Sequence, residues 1–313
     1  MVANLDVTPG AGSAPTGDPA TKKRPRSALG NRLILSLMAL ALFISTNGAG
    51  CSIRKVAYGW VTRLAVNRIS EIWDLDGAQK RDLQPRIAAI HDWHRKNELP
   101  RYVQLLDGVM AKVQDGLDQK EVEWMLSEST AAVERLSARF SPEAGQFLTT
   151  LRDEQIAHAG PELKKSERER FEKLEMSEQE YIQFRLKQAR KNMKTWLGSY
   201  SDAQLAEFEK FVRKNRLEEQ RRRKKMQENQ DQLLRTLRAH PGPKVLETMV
   251  HRWLTRQTFD ESPEYQRAEE QNRADFVDLV VAVDRLMTSE QRAHLLNELK
   301  GWRSDFYELA NGI

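Results

Sequence analysis

The chain has 313 residues, of which 40% are hydrophobic and 30% charged, and its net charge is +5. Seven tryptophans and ten phenylalanines supply enough apolar surface for a folded core, which excludes a wholly disordered chain. A single cysteine excludes an intramolecular disulfide framework and a cysteine-rich zinc site. We therefore expect a globular body that follows one apolar segment.

The first fifty residues carry the pattern of a secretory signal. A basic stretch at 22–26 precedes an apolar segment from Leu33 to Thr46, and small residues at 47–50 lead to Cys51. This order of basic, apolar and small residues is typical of a cleaved signal peptide. Because Cys51 is the only cysteine and stands at the expected cleavage position, the segment resembles a bacterial lipoprotein signal. We predict that residues 1–50 are a leader and that Cys51 is acylated, so that it attaches the chain to membrane lipid.

Two other interpretations of this segment remain open. The uncharged run at 33–53 is long enough to span a bilayer as an uncleaved anchor, and a lone cysteine can also be a buried core residue. Both membrane interpretations keep the basic leader in the cytoplasm and place the body in the periplasm. Ser52, directly after the cysteine, resembles the residue found in lipoproteins sorted to the outer membrane, which makes that membrane the expected location.

Charge separates the leader from the body. Residues 1–32 carry five basic and two acidic side chains, so +3 of the total charge of +5 lies there. The body is therefore nearly neutral, and nucleic acid is not an expected partner.

After Cys51 the sequence follows a helical period almost throughout. Leu83, Ile87, Ile90 and His94, for example, fall on one face of a helix. Capping-box patterns, in which a short polar residue is followed three positions later by Glu or Gln, mark helix starts. They begin at Asp76, Ser177, Ser201 and Thr288.

These patterns predict an all-α body of about ten amphipathic helices, arranged as chained antiparallel hairpins or a helical bundle. Glycine, proline and capping residues predict the helix ends. The predicted breaks lie near 74–77, 97–100, 116, 141, 160–161, 198–201, 240–243 and 262–263. We treat 51–313 as one envelope domain with a possible minor break at 240–243.

One helical face carries a candidate metal site. His91, His94 and Glu98 are spaced three and four residues apart, and two histidines with a carboxylate can supply part of a metal site in a helical bundle. The alternative is that His94 is a hydrogen-bonded histidine at the edge of the core, since it continues an apolar stripe. No second histidine pair and no nucleotide-binding or hydrolase motif is present. We therefore expect neither a cofactor nor an enzyme.

The same region is a candidate interaction corner. We expect residues 97–100 to join two helices at a bend stiffened by Pro100, with Trp93, Arg95 and Tyr102 beside it. Aromatic and arginine side chains are common in recognition sites. The alternative is that Arg95 pairs with Glu98 while the two aromatic residues pack the hairpin.

A basic run at 221–225, Arg-Arg-Arg-Lys-Lys, follows two glutamates. We expect a long solvated helix here, because opposite charges one turn apart stabilise exposed helices. The alternative is a surface for anionic lipid or an acidic partner. The run contains no aromatic residue on which bases would stack.

The run 93–102, Trp-His-Arg-Lys-Asn-Glu-Leu-Pro-Arg-Tyr, together with Leu75–Gln79 and 51–54, resembles a family of uncharacterised helical lipoproteins of Gram-negative bacteria. The similarity covers most of residues 51–309. It implies lipidation at Cys51 and an all-helical envelope domain, and it implies no activity or cofactor.

Three functions compete. The first is a non-enzymatic structural or protein-interaction role in the cell envelope, with an envelope protein as the partner. The second is a helical periplasmic chaperone, which needs an exposed concave apolar surface. The third is a metal-dependent helical-bundle enzyme built on His91, His94 and Glu98.

Overall fold

The computed structural model of the protein describes residues 51–255 and 262–312, with the backbone alone at residues 51–54. Every regular element in these two ranges is helical and no strand occurs there, so the all-α prediction is confirmed. The α-helices are α1 (Cys51–Gly59), α2 (Val61–Trp73), α3 (Gly77–Trp93), α4 (Leu99–Val113), α5 (Gln119–Leu148), α6 (Asp153–Phe171), α7 (Glu178–Leu197), α8 (Asp202–Lys214), α9 (Arg216–Arg238), α10 (Pro243–Leu254), α11 (Pro263–Arg285) and α12 (Ser289–Asn311). A π-helical turn, His94–Glu98, joins α3 to α4, and a 3₁₀ turn, Glu172–Glu175, follows α6.

The capping boxes begin helices where the sequence predicts them. Asp76, Ser177, Ser201 and Thr288 are N-caps, and each accepts a hydrogen bond from a backbone N–H in the first turn of its helix. The Glu or Gln three residues later accepts from the N–H of the cap. Local chemistry is therefore enough to start these helices.

The predicted breaks at 141 and at 160–161 are wrong, because packing holds each of these helices together. Ser141 lies inside α5, where Ser137 contacts Nδ1 of His251 at 2.9 Å. α10 crosses α5 so closely that a Cβ added to Gly145 would lie 2.6 Å from the carbonyl oxygen of Pro243. The predicted break at 160–161 lies inside α6, between the buried residues Ala159 and Leu163. Burial of these faces outweighs the local preference of proline for a helix start.

The largest core lies between α2, α3, α6, α9 and α10, and the C-terminal end of α5 closes it. A second apolar cluster joins α4 to α12, and Trp302 of α12 stacks on Trp196 of α7. Smaller clusters join α7 to α8 and α5 to α11. Many of these packed helices are distant along the chain, so the body is held by long-range contacts as well as by hairpins of sequence neighbours.

Two buried pairs of glutamine amides lock helix N-termini together. Gln79 of α3 and Gln155 of α6 each donate to the side-chain oxygen of the other, at 2.9 and 2.7 Å. Gln204 of α8 and Gln291 of α12 do the same, at 3.0 and 3.1 Å. All four are buried, and each is the third residue of its helix. The glutamine of each capping box therefore also joins its helix to a second one.

None of the described helices is long and apolar enough to cross a membrane. The predicted leader at 1–50 lies outside the described residues. Residues 239–242 connect α9 to α10, and the proposed minor domain break at 240–243 stays a prediction.

Candidate functional site

The π-helical turn between α3 and α4 corrects the predicted bend at 97–100. The N–H of Leu99 donates to the carbonyl of His94, five residues earlier, so one extra residue is accommodated in this turn. Pro100 has no N–H to donate, and a wider turn lets the chain stay helical past it. The side-chain amide of Asn97 also donates to the carbonyl of Trp93, at 2.9 Å. The helix thus runs on from α3 to α4 without a loop, and π turns of this kind often occur at functional sites.

Two histidines and two tyrosines meet at this turn. The Tyr58 hydroxyl lies 2.9 Å from Nδ1 of His94, and the Tyr58 ring lies 4.4 Å from the ring of His91. The Tyr102 ring meets that of His94 edge-on at 5.6 Å. His94 is 6% exposed, as the apolar stripe predicts. Nε2 of both histidines is buried without a hydrogen-bond partner among the described residues.

Burial keeps these rings uncharged at neutral pH. It lowers the pKa of His94, and together with a smaller contribution from the neighbouring His91 it brings that pKa to about 4. Burial also lowers the pKa of His91, with a contribution from the nearby Arg95 guanidinium. For Tyr58 and Tyr102 the same effect raises the pKa of the hydroxyl. The cluster is therefore a neutral, aromatic contact between α1, α3 and α4.

The Glu98 side chain is held in an ion pair with a different helix. Its carboxylate is 1% exposed and accepts from Nε and Nη2 of Arg135 on α5, both at 2.9 Å. Arg101 lies 3.9 Å away as a second cation. In the described ranges no group of three or more histidine, cysteine, aspartate or glutamate side chains is arranged to hold a metal ion. The candidate set His91, His94 and Glu98 is thus not assembled.

The candidate interaction corner is divided between the interior and the surface. Tyr102 packs against Phe306 of α12, with ring centroids 5.8 Å apart, and Glu98 is buried. Trp93 and Arg95 are only partly buried, and Arg95 donates to Asp92 at 2.9 Å. The expected pairing of Arg95 with Glu98 is therefore wrong, because Arg135 occupies that carboxylate. Tyr102 and Glu98 are thus engaged by other helices, while the Arg95 side chain, 39% exposed, is open to solvent.

Sequence reasoning missed Tyr58 and Arg135. Both lie on other helices, and only packing of α1 and α5 against the turn brings them near it. The tyrosine stands in a stretch that draws attention to Cys51 instead, and no local motif singles out one arginine of α5. Neither residue has a signal that a single sequence displays.

The basic run at 221–225 is part of a long helix, α9, as predicted. Arg221 and Arg222 lie within 3.5 Å of Glu218 of the same helix. Arg223 pairs with the buried Glu167 of α6. An open groove of about 870 Å³ runs between α6 and α9, lined by both cations and carboxylates. Much of the charge of the run is thus neutralised by carboxylates of α6 and α9.

Large apolar side chains that stay exposed are mostly isolated. Among the described residues, single ones occur along or next to α9 to α12. The exceptions are Val56 of α1, Trp60 just before α2 and Leu64 of α2, which follow one another on one face. This distribution gives no support to the concave apolar surface that the chaperone hypothesis needs, and that hypothesis stays a prediction.

Comparison with known families assigns the chain to one of them. The model of a family described as a family of unknown function (DUF6279) matches residues 71–266, which is more than half of the chain. The match contains α3, the π turn and all helices through α10. No curated protein and no solved structure is similar enough to give a match. The chain therefore belongs to the DUF6279 family.

Proposed function

We propose that this chain is a lipoprotein, anchored at Cys51 and facing the periplasm, with a non-enzymatic structural or protein-interaction role in the envelope. The observation that carries the proposal is the position of Cys51. It is the only cysteine, it follows a basic and an apolar segment, and it is the first residue of α1. Lipid attached there would hold the body to a membrane without a spanning helix.

The way α1 is packed supports an anchoring role. Lys55 pairs with Glu308 near the end of α12, and Tyr58 contacts the two histidines of α3 and the π turn. A helix that merely linked a lipid to the body would need neither contact. Because α1 is fixed at both places, an anchor at Cys51 would hold the body in a defined position.

The chemistry of the π turn supports a non-enzymatic role. Burial lowers the pKa of His94 in the turn and of His91 just before it, and the Glu98 carboxylate is bound by Arg135. A general acid or base needs a pKa near the working pH and access to substrate. His94 and Glu98 are buried and lack that access, so they are better suited to holding helices together.

The first experiment tests the anchor. Cells that express the full-length wild-type chain or Cys51→Ser are labelled with radioactive palmitate, and the chain is immunoprecipitated. We expect label in the wild type and none in the variant, because no other cysteine is present. A second substitution beside it, Ser52→Ala, is the control and should keep the label. Equal labelling of wild type and Cys51→Ser would refute the anchor.

The second experiment tests the role. Crosslinking in cells from a photoreactive residue at Arg95 is expected to capture an envelope protein, because Arg95 is a surface residue of the corner. A photoreactive residue at Lys187, which is exposed on α7, serves as the control for random collision. The same adducts from both positions would remove the corner from the proposal.

A further inference from the structure

Three large apolar side chains form an exposed stripe along α1 and the start of α2. Val56, Trp60 and Leu64 are 59%, 51% and 43% exposed. The N–H of Trp60 donates to the carbonyl of Val56, and the N–H of Leu64 donates to that of Trp60, so helical hydrogen bonds continue through the junction of α1 and α2. At a spacing of four residues, the three side chains lie along one face.

The opposite face of the same segment is fixed to the body. Val61 and Ala65 are buried, and Tyr58 contacts His94. Rotation of the segment to hide the stripe would expose these residues and break the contact. The stripe is therefore held outward by packing.

The stripe begins close to the proposed anchor. Val56 is five residues from Cys51, and an α-helix rises by about 1.5 Å per residue, so the stripe extends from about 8 to about 20 Å from the anchor. Lipid on Cys51 would bring a bilayer surface within that distance. A tryptophan with aliphatic neighbours is well suited to the boundary between headgroups and acyl chains.

A cation accompanies the stripe. The guanidinium of the exposed Arg63 lies over the Trp60 ring, 5.3 Å from its centroid. A headgroup phosphate offers a partner to such a guanidinium, while the ring and its apolar neighbours enter the lipid. The arrangement combines the two contacts that an interfacial helix makes.

We propose that the face formed by Val56, Trp60, Arg63 and Leu64 lies on the surface of the phospholipid bilayer beside the acylated Cys51. The inference rests on the proposed anchor. It adds that the body docks on the membrane through a rigid face, with α1 in the interface, instead of moving freely on a tether.

The test measures how near Trp60 lies to acyl chains. The full-length chain is expressed in cells labelled with palmitate, purified from membranes and reconstituted into vesicles of phosphatidylethanolamine and phosphatidylglycerol. Part of the lipid carries bromine on its acyl chains, which quenches tryptophan fluorescence on contact. Wild type is compared with Trp60→Phe and with Trp124→Phe. Trp124 is a matched control, because it is partly buried on α5 with Lys112 over its ring at 5.1 Å.

We expect a quenched fraction in the wild type that Trp124→Phe retains and Trp60→Phe loses by more than half. The circular dichroism of both variants should match the wild type, since neither substitution removes a core side chain. If palmitate-labelled, vesicle-bound wild type shows no quenching, or if Trp60→Phe keeps the quenched fraction, the bilayer is not the occupant of this face while the anchor stands. As a second measurement, a photoreactive residue is placed at position 60 in cells. A crosslink from it to a second copy or to another protein would likewise overturn the inference. Absence of the palmitate label would remove the anchor and this inference together.

Discussion

The buried amide pair between α3 and α6 offers the sharpest test of how this fold is held together. Besides their mutual hydrogen bonds, the Gln79 amide donates to the carbonyl of Thr150 and the Gln155 amide donates to that of Asp74. The side-chain oxygen of Gln79 also accepts from the N–H of Asp76, the N-cap of α3. Truncation of either glutamine to alanine therefore removes both bonds to the other amide, which leaves one N–H of that amide unpaired, and it also removes the partner of two backbone groups.

The expected loss of stability follows from those unpaired groups. Each buried donor or acceptor left without a partner costs about 1–3 kcal/mol, and loss of the capping interaction adds about 1 kcal/mol. We expect Gln79→Ala and Gln155→Ala each to lower the free energy of unfolding by about 3–5 kcal/mol. In the double variant the shared bonds are lost only once. The two losses should thus fall short of additivity by about 1–3 kcal/mol.

Urea unfolding of wild type, the two single variants and the double variant, followed by circular dichroism, completes a double-mutant cycle. Glu180→Ala is the matched control, because Glu180 holds the same capping position in α7 but is exposed. It should be less destabilising than either buried variant. Losses at Gln79 and Gln155 that add to within about 0.5 kcal/mol would refute the idea that the amides act as a unit.

Two further predictions concern the π turn. The pKa of histidine is about 6.5 in an unfolded chain, and burial lowers the pKa of His94 in the folded protein to about 4. Between about pH 6.5 and about pH 4 the unfolded chain therefore binds one more proton than the folded one, and the free energy of unfolding falls as the pH drops through that window. Between pH 7 and pH 5, His94→Gln should lose about 2 kcal/mol less than wild type in urea unfolding; equal pH profiles would contradict the assignment. Arg135→Ala should lower stability by about 3 kcal/mol, the low end for a broken buried pair because Arg135 is itself partly exposed. Glu98→Gln added to it should restore part of the loss. Arg95→Ala, the control, should barely change the melting temperature, since its pair with Asp92 is exposed. A large loss in Arg95→Ala would mean that it, too, is structural.

The sequence predicted the helix starts because a cap acts over four residues. Ser177 and Ser201 each need only a neighbour three positions away to satisfy the first turn. Burial of His94 was also predictable, since the stripe that contains it has the period of a helix. These features depend on short-range geometry that a single chain displays.

The continuity of α3 and α4 was not predictable in the same way. Asn97 and Pro100 are residues that usually end helices, and here the turn widens instead. Two responses to the same residues are available, a loop or a π turn, and tertiary packing selects between them. Leu99, at the end of the turn, is fully buried in the cluster between α4 and α12, and a loop would withdraw it. The choice therefore depends on a helix some 190 residues further along the chain.

The same separation along the chain explains why the sequence predicted that Gln79 and Gln291 cap helices but did not predict that each pairs with a glutamine of another helix. Gln79 and Gln291 fit capping boxes, and a capping residue is normally exposed at the end of its helix. Burial changes what such a residue does, because an amide that has satisfied one N–H still has a donor group and a second lone pair to satisfy. The fold meets that requirement by placing two helix N-termini together, so that each amide completes the other. Apolar contacts tolerate small shifts between helices, whereas a reciprocal amide pair forms in one register only. The register of α3 on α6, and of α8 on α12, is thus set at the helix ends.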